Sequence, residues 1–252
     1  MGLSKLLKAI LPNKLKIGVK NLLTITDLHM RLQRLESKVM MLSELISGGD
    51  LWERSRRRWR EADPDGGLTW GKKIDGKPFI EKVAAHFLFT PSTQVMEIGP
   101  GYGRQLKSLL AQSLPFLKYT GLDLSAKNVA FLTKQFKEPR IRFLQGDAEI
   151  ASLPSDVDLI YSSLTFKHLF PTCEQTLANL SRCLKKGGRL IFDLIEGDDQ
   201  VIEKDTDTYL RSYSRTEIKD ILERTGFQLV AFDEVKHAPD FIRLLVVAQR
   251  RA

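Results

Sequence analysis

From Gln94 onward, short apolar runs alternate with segments in which apolar residues recur every three or four positions. The short runs indicate buried strands, and the longer recurrence indicates helices that bury one face. Seven strands are predicted: Gln94–Ile98, Tyr119–Asp123, Ile141–Gln145, Val157–Ser162, Arg189–Leu194, Phe227–Asp233 and Phe241–Gln249. Because strands and helices alternate, we expect an α/β domain whose seven-stranded sheet is doubly wound and mostly parallel.

Before Gln94 the pattern is helical. Helical spacing continues from Ser4 to Ser47 with a break at Pro12, and an arginine-rich helix is predicted over Trp52–Arg60. A turn-rich stretch and a helix over Pro78–Phe89 follow. The predicted divisions are a basic amphipathic helical segment (1–23), a coiled-coil helix (24–48), a linker or lid region (49–76) and the α/β domain (77–252).

A heptad pattern occupies the second half of this N-terminal extension. Its apolar positions are Ile25, Leu28, Leu32, Leu35, Val39, Leu42 and Ile46. β-Branched residues at most a positions with leucine at every d favour a parallel two-stranded coiled coil, in which Arg31 faces Glu36 across the seam. We expect a homodimer through residues 25–46. An amphipathic helix that packs on its own domain is the open alternative.

Charge is concentrated at the start of the chain. The formal net charge is +8, and residues 1–60 hold 13 Lys or Arg against 5 Asp or Glu, whereas the rest of the chain is balanced. In residues 1–23, lysines alternate with leucine, isoleucine and valine, which is typical of a helix that rests on anionic lipid. We therefore expect a peripheral protein at the inner face of the membrane. A helix packed within an oligomer is the alternative.

The positions of cysteine and histidine in the sequence argue against a disulfide framework and against a metal site. The two cysteines, Cys173 and Cys183, form no CxxC pair, and no histidine cluster has the spacing of zinc ligands. Neither a disulfide framework nor a metal is therefore expected, and the composition fits the reducing cytoplasm. No apolar run is long enough to span a bilayer.

A glycine-rich loop carries the strongest chemical signal. The first predicted strand ends with the acid Glu97 and Ile98 and leads into Gly99, Gly101 and Gly103. Glycine is needed where the backbone turns sharply or where a ligand approaches closely. A dehydrogenase loop places glycines at its first, third and sixth positions, but the sixth position here is Arg104. The spacing therefore indicates a different ligand.

This loop resembles the first motif of the class I S-adenosylmethionine-dependent methyltransferases, and the resemblance covers about Lys77 to Gln249. The motifs GLDLS, LQGDAE, DLIYSSLTFKHL and LKKGGRLIFDL follow in the order of that family. The resemblance implies an enzyme that binds S-adenosylmethionine, releases S-adenosylhomocysteine and needs no metal.

The resemblance also implies roles for individual residues. Asp123 is expected to accept the ribose hydroxyls, and Asp147, with the Ala148 backbone, to meet the adenine. The remaining positions that the resemblance places at the cofactor are Glu97, Gly99, Gly101, Tyr102, Gly103, Leu124 and Ser162.

Two further candidates lie in loops. His168 is the best placed proton acceptor for a hydroxyl substrate, since histidine holds a proton near neutral pH. It could equally hydrogen-bond the backbone or shape the pocket. Trp70, beside Gly71 and after Gly66-Gly67, is a candidate lid over the cofactor. Filling a gap between the extension and the sheet is its alternative role.

The acceptor is the least determined part. Methyltransferases that act on base amino groups commonly carry an Asp or Asn, Pro, Pro, aromatic run after the fourth strand, where this chain reads SSLTF. A nucleic-acid acceptor is thus disfavoured. We expect the hydroxyl of a small molecule or of a cell-surface glycan or lipid-linked precursor. RNA methylation through the run Arg54 to Arg60, and a scaffold that binds the cofactor without turnover, are the alternatives.

Overall fold

The computed structural model describes residues 51–64, 74–203 and 208–251, together with six residues of the extension. Those six are Leu28, Leu32, Leu35, Val39, Leu42 and Ser43, and all are helical. Met1–Gly49 and Asp50–Ala252 are separate compact units. The predicted membrane segment 1–23 and Trp70 lie outside the described residues.

The second unit alternates helices and strands. Its helices are α1 (Leu51–Arg60), α2 (Lys77–His86), α3 (Arg104–Ala111), α4 (Ala126–Gln135), α5 (Glu174–Cys183) and α6 (Arg215–Arg224), with a 3-10 turn at Phe166–His168. Its strands are β1 (Gln94–Ile98), β2 (Lys118–Asp123), β3 (Ile141–Gln145), β4 (Val157–Ser162), β5 (Leu184–Glu196), β6 (Gln200–Glu203), β7 (Thr208–Tyr213), β8 (Phe227–Ala238) and β9 (Phe241–Arg250).

The main sheet has the order β3-β2-β1-β4-β5-β9-β8. The first five strands of this order are parallel to one another, and β9 is antiparallel to both β5 and β8. The strand order reverses between β1 and β4. The seven-stranded, doubly wound sheet expected from the sequence is therefore confirmed.

Two strands were not predicted. The β6–β7 hairpin pairs antiparallel within itself, and β7 pairs in parallel with the end of β5 at Ile195 and Glu196. β6 reads QVIE and β7 reads TYLRSY, so polar residues interrupt any apolar run. The sequence signal for a strand was therefore too weak, although the hairpin reaches the site described below.

The core has one layer on each face of the sheet, because successive strand residues point to opposite sides. Met96 and Ile160 belong to the layer that includes α5 and α6, whereas Val95 and Leu159 belong to the layer that includes α2 and α3. Helices thus cover both faces, which leaves the carboxyl ends of the parallel strands as the open edge where ligands bind in such sheets.

The described residues of the extension expose apolar side chains. Leu28, Leu32, Leu35, Val39 and Leu42 are between 51 and 61% exposed. Within the part of the chain that the structure describes, no helix has the length and apolarity needed to cross a membrane.

Candidate active site

A cavity opens at the carboxyl ends of β1 to β4, beside the point where the strand order reverses. Its walls come from the glycine loop, the segments after β2, β3 and β4, and one face of α1. Eight residues expected from the sequence line it: Gly99, Gly101, Tyr102, Asp123, Leu124, Asp147, Ala148 and His168. Segments far apart in the sequence therefore meet around one space.

The glycine loop is open toward this space. Gly101 has a φ of +53°, and a Cβ placed there would meet nothing within 4 Å. Gly103 has a φ of +72°, and its Cβ would lie 2.8 Å from side-chain atoms of Leu132 and Phe136. Gly103 is therefore needed for packing against α4, whereas Gly101 leaves room in the cavity that a ligand can use.

Asp123, at the end of β2, holds the loop in place. One carboxylate oxygen accepts the Gly101 N–H at 2.9 Å, and the other accepts the Ser125 N–H at 2.9 Å and the Asn128 side-chain amide at 3.1 Å. Burial raises the pKa of this carboxyl, and the hydrogen bonds from Ser125 and Gly101 oppose that shift. The carboxylate lines the cavity where ribose hydroxyls are expected.

Asp147, after β3, is engaged by α1. The Arg56 Nε lies 2.8 Å from one carboxylate oxygen, and the other oxygen accepts the Glu149 N–H at 3.0 Å. Arg56 also forms an ion pair with Glu149 and is 6% exposed. The sequence had indicated only a basic stretch here, since nothing local shows that one of its arginines is buried against two acids.

Further contacts fix the residues that follow α1. The Ser125 hydroxyl donates to the Ala62 carbonyl at 2.6 Å, and Lys127 pairs with Asp63 at 2.8 Å. The cavity is also lined by Ser55, Arg56, Trp59 and Ala62. The region predicted as a linker or lid thus supplies one wall of the site.

Arg104 was noted in the sequence only because it is not glycine. It lines the cavity, and its Nη2 lies 3.3 Å from both the carbonyl and the hydroxyl oxygen of Ser163. Its Nη1 is buried and has no hydrogen-bond partner among the described residues. Burial lowers the pKa of this guanidinium, and the charges of Asp193 and Glu97 oppose that shift.

His168 lies at the end of the 3-10 turn. Its Nδ1 is 2.9 Å from the Tyr209 carbonyl of β7, which can only accept, so Nδ1 carries the hydrogen. Nε2 then holds a lone pair, and it is buried with no partner in the described part of the chain. Loss of hydration, together with the charges of Lys167 and Arg58, holds the pKa of His168 well below 6.5. The imidazole is therefore neutral at physiological pH.

A buried acid supports the wall beside His168. The Asp193 carboxylate accepts the Ser163 hydroxyl at 2.9 Å and the Leu164 N–H at 2.6 Å, and it lies 2.8 Å from the His237 Nε2. Leu164 has a φ of +61°, a conformation that is uncommon for a residue with a branched side chain. Asp193 thus holds a strained turn of the cavity wall in place.

Three of the residues expected at the cofactor are not among those that line the cavity. Glu97 is 2% exposed and accepts the Tyr119 hydroxyl, and burial raises its pKa to about 7. The Ser162 hydroxyl donates to the Ile98 carbonyl at 2.8 Å, which ties β4 to β1. Gly103 packs on α4 as described. Their proposed cofactor contacts stay predictions.

The site fits an adenosine that carries an amino-acid tail. Acids stand at the ends of β2 and β3, Gly101 leaves room beside the loop, and the buried Arg104 Nη1 needs an anionic partner such as a carboxylate. No group of three or more His, Cys, Asp or Glu residues within the described ranges could hold a metal ion. The fold and the site together define an adenosyl-binding α/β domain.

Comparisons with known proteins agree with this description. Residues 96–192 match the family profile described as a methyltransferase domain. A malonyl-[acyl-carrier protein] O-methyltransferase of Priestia megaterium is 32% identical over 129 residues, which are 48% of this chain and 46% of that protein. The phthiotriol/phenolphthiotriol dimycocerosates methyltransferase of Mycobacterium tuberculosis is 28% identical over 158 residues, 60% of this chain and 57% of that protein.

A solved structure shows the same fold. The 1,6-didemethyltoxoflavin-N1-methyltransferase of Burkholderia thailandensis, with bound 1,6-didemethyltoxoflavin and S-adenosylhomocysteine, superposes with a TM-score of 0.56 at 19% identity. The alignment covers 89% of this chain and 90% of that one. The family profile, the curated relatives and this shared fold support a class I S-adenosylmethionine-dependent methyltransferase. Its match spans 46% and 57% of the length of the two relatives described above.

Proposed function

We propose that the protein transfers a methyl group from S-adenosylmethionine to a hydroxyl of a small molecule or of a cell-surface glycan or lipid-linked precursor. The observation that carries the choice of a hydroxyl is His168, a neutral imidazole that lines the cavity and whose Nε2 has no partner among the described residues. A hydroxyl must lose its proton when it is methylated, and a neutral imidazole can accept one.

The chain's own residues would hold the cofactor as follows. The Asp123 carboxylate accepts three hydrogen bonds within the protein, and its remaining lone pairs would accept hydrogen bonds from the ribose hydroxyls. Asp147 and Ala148 would face the adenine. Arg104 would bind the amino-acid carboxylate through Nη1. When bound, S-adenosylmethionine supplies a methyl group on a cationic sulfur. The protein then has to align acceptor and methyl group and to exclude water.

His168 is oriented for proton acceptance by its second nitrogen. The bond from Nδ1 to the Tyr209 carbonyl fixes the tautomer, so Nε2 always carries the lone pair. The apolar side chains of Leu164, Leu169 and Phe170 line the same cavity. An acceptor with an apolar part next to its hydroxyl would suit these walls, and one of the relatives described above is named for phthiotriol and phenolphthiotriol dimycocerosates.

The setting of the enzyme is part of the proposal. The basic segment 1–23 would hold the protein at the inner face of the cytoplasmic membrane, near lipid-linked acceptors. Its charge and composition support this placement. The heptads of residues 25–46 would join two copies, and the exposure of Leu28, Leu32 and Leu35 supports that assembly.

Label transfer tests the function. The purified protein is incubated with methyl-labelled S-adenosylmethionine and cell extract, which is then separated into lipid, glycan, small-molecule, RNA and protein fractions. We expect label in the lipid, glycan or small-molecule fraction, in a form that survives mild alkali, since a methyl ether is stable and a methyl ester releases methanol. Label in RNA, or only in alkali-labile esters, would contradict the proposal.

Matched variants complete the experiment. His168→Gln should lose transfer while it still binds S-adenosylhomocysteine, whereas His86→Gln should match the parent protein. His86 pairs with Asp233 and is not among the residues that line the cavity. Binding of S-adenosylhomocysteine with no transfer to any fraction would favour the scaffold alternative.

A further inference from the structure

Two neighbouring aromatic side chains in the wall of the cavity each carry a buried, unmatched polar atom. The rings of Trp59 and His168 have centroids 4.3 Å apart with an angle of 42° between their planes. Among the described residues, neither the buried Trp59 Nε1 nor the buried His168 Nε2 has a hydrogen-bond partner. Both residues line the cavity. A donor and an acceptor are thus left unsatisfied in one place.

The chemistry of the two atoms is fixed. The indole nitrogen can only donate, and the His168 Nε2 can only accept while Nδ1–H is bonded to the Tyr209 carbonyl. A buried polar group without a partner is costly and uncommon in native proteins. The two atoms do not satisfy each other, and a single group that both accepts and donates would satisfy both.

We propose that Trp59 and His168 form the acceptor subsite and select a neutral hydroxyl, whose oxygen accepts from the Trp59 Nε1–H while its hydrogen is donated to the His168 Nε2. This inference rests on the proposed function and narrows its acceptor. It assigns Trp59, a residue of α1, to the recognition of the reacting group.

Other acceptor groups fail to match the pair. A carboxylate only accepts, so it satisfies the indole but places its lone pairs against the lone pair of Nε2. An alkylammonium only donates, so it leaves the indole unpartnered. Lys167 and Arg58, whose charges act on His168, are not among the cavity-lining residues and so do not supply a carboxylate site there.

Three simple probes with the same carbon chain test this selection. 1-Hexanol, hexanoate and hexylammonium are titrated separately into the nitrogen-15-labelled full chain saturated with S-adenosylhomocysteine. The Trp59 indole N–H and the His168 ring nitrogens are followed by NMR. We expect hexanol to shift both the indole signal and the Nε2 signal, and to bind at least about fivefold more tightly than hexanoate, the effect of one hydrogen bond.

Variants separate the two contacts. Trp59→Phe and His168→Gln should each weaken hexanol binding several-fold and leave S-adenosylhomocysteine affinity unchanged, which also shows that the variants are folded. Arg57→Gln, on the exposed side of α1, should have no effect. Hexanoate binding as tight as hexanol, or unshifted Trp59 and His168 signals with hexanol bound, would overturn the inference. Failure of S-adenosylhomocysteine to bind would instead contradict the proposed function.

Discussion

The Arg56 guanidinium lies against the Asp147 carboxylate, with Nε 2.8 Å from Oδ2, although 91 positions separate the two residues in the chain. The same guanidinium is paired with Glu149. One arginine of α1 thus compensates two acids that follow β3, and it fixes the helix at the end of the cavity where adenine is expected.

The first prediction concerns this ion-pair cluster. Arg56→Gln should lower the free energy of unfolding by about 3–5 kcal/mol, because it leaves buried acids uncompensated. It should also weaken S-adenosylhomocysteine binding, since Asp147 loses its fixed position. Urea unfolding and calorimetry measure the two effects. Arg57→Gln, one position away on the exposed face, should change stability by less than about 0.5 kcal/mol. Equal effects of the two variants would contradict this account.

The second prediction separates the two halves of the cofactor. Arg104→Gln should weaken binding of S-adenosylhomocysteine about 10-fold or more, because a charge-assisted hydrogen bond to the carboxylate is lost. Binding of 5′-methylthioadenosine, which lacks the amino-acid part, should change little. Calorimetry with both ligands gives the comparison, and Lys107→Gln on the exposed side of α3 is the control. A parallel loss for both ligands would show that Arg104 acts on the fold instead.

The third prediction uses the protonation of His168. Its lowered pKa means that the folded protein binds fewer protons at this residue than the unfolded chain does, at pH values just below 6.5. Stability should therefore fall as the pH drops through that range, and transfer should be independent of His168 ionisation above pH 6.5.

His168→Gln provides the check on that prediction. It should reduce the transfer rate by about 10²–10⁴, as for other general bases, and should remove part of the acid destabilisation. A variant with full turnover would leave His168 with a structural role only.

The fourth prediction concerns Glu97, whose pKa of about 7 in the folded protein lies above the usual 4.5. Between pH 4.5 and about pH 7 the folded state therefore binds more protons than the unfolded state. Glu97 lowers the free energy of unfolding increasingly as the pH rises through this range. At pH 8, Glu97→Gln should have a free energy of unfolding up to about 3 kcal/mol higher than that of the parent, as measured by urea unfolding. The difference should shrink at pH 5. Exposed Glu138→Gln is the control, and a gain that is independent of pH would count against the explanation.

The fifth prediction tests the coiled coil. Leu35 is 58% exposed and occupies a d position of the heptads. If two copies pair through residues 25–46, the parent chain should sediment as a dimer and Leu35→Lys as a monomer. Gln33→Lys, at an outward b position, should stay dimeric. A parent chain that sediments as a monomer at micromolar concentration would remove the dimer from the proposal.

Local patterns predicted the sheet and eight of the residues that line the cavity. The seven main strands are apolar runs, and Asp123 and Asp147 directly follow two of them, so the fold itself brings them to one edge. The glycine loop was recognisable because its spacing reflects positive φ values at Gly99, Gly101 and Gly103.

The rest depends on contacts between distant segments. Nothing near Arg56 or Trp59 in the sequence indicates that α1 would be buried against Asp147 and His168. The Tyr209 carbonyl that fixes the His168 tautomer belongs to a hairpin too polar to be recognised as strands. The role of Arg104 was not predictable either, because it depends on the burial of its Nη1 without a partner among the described residues, which is a property of the folded chain.

The position of α1 has a practical consequence for anyone who wishes to shorten this protein. The matched family region begins at residue 96, and a version cut before Lys77 would keep the whole main sheet. It would nevertheless lose Arg56, Trp59 and Ala62, and with them the partners of Asp147, His168 and Ser125. Such a fragment would present a cleft open to bulk water on one side, and its inactivity would say nothing about the natural enzyme.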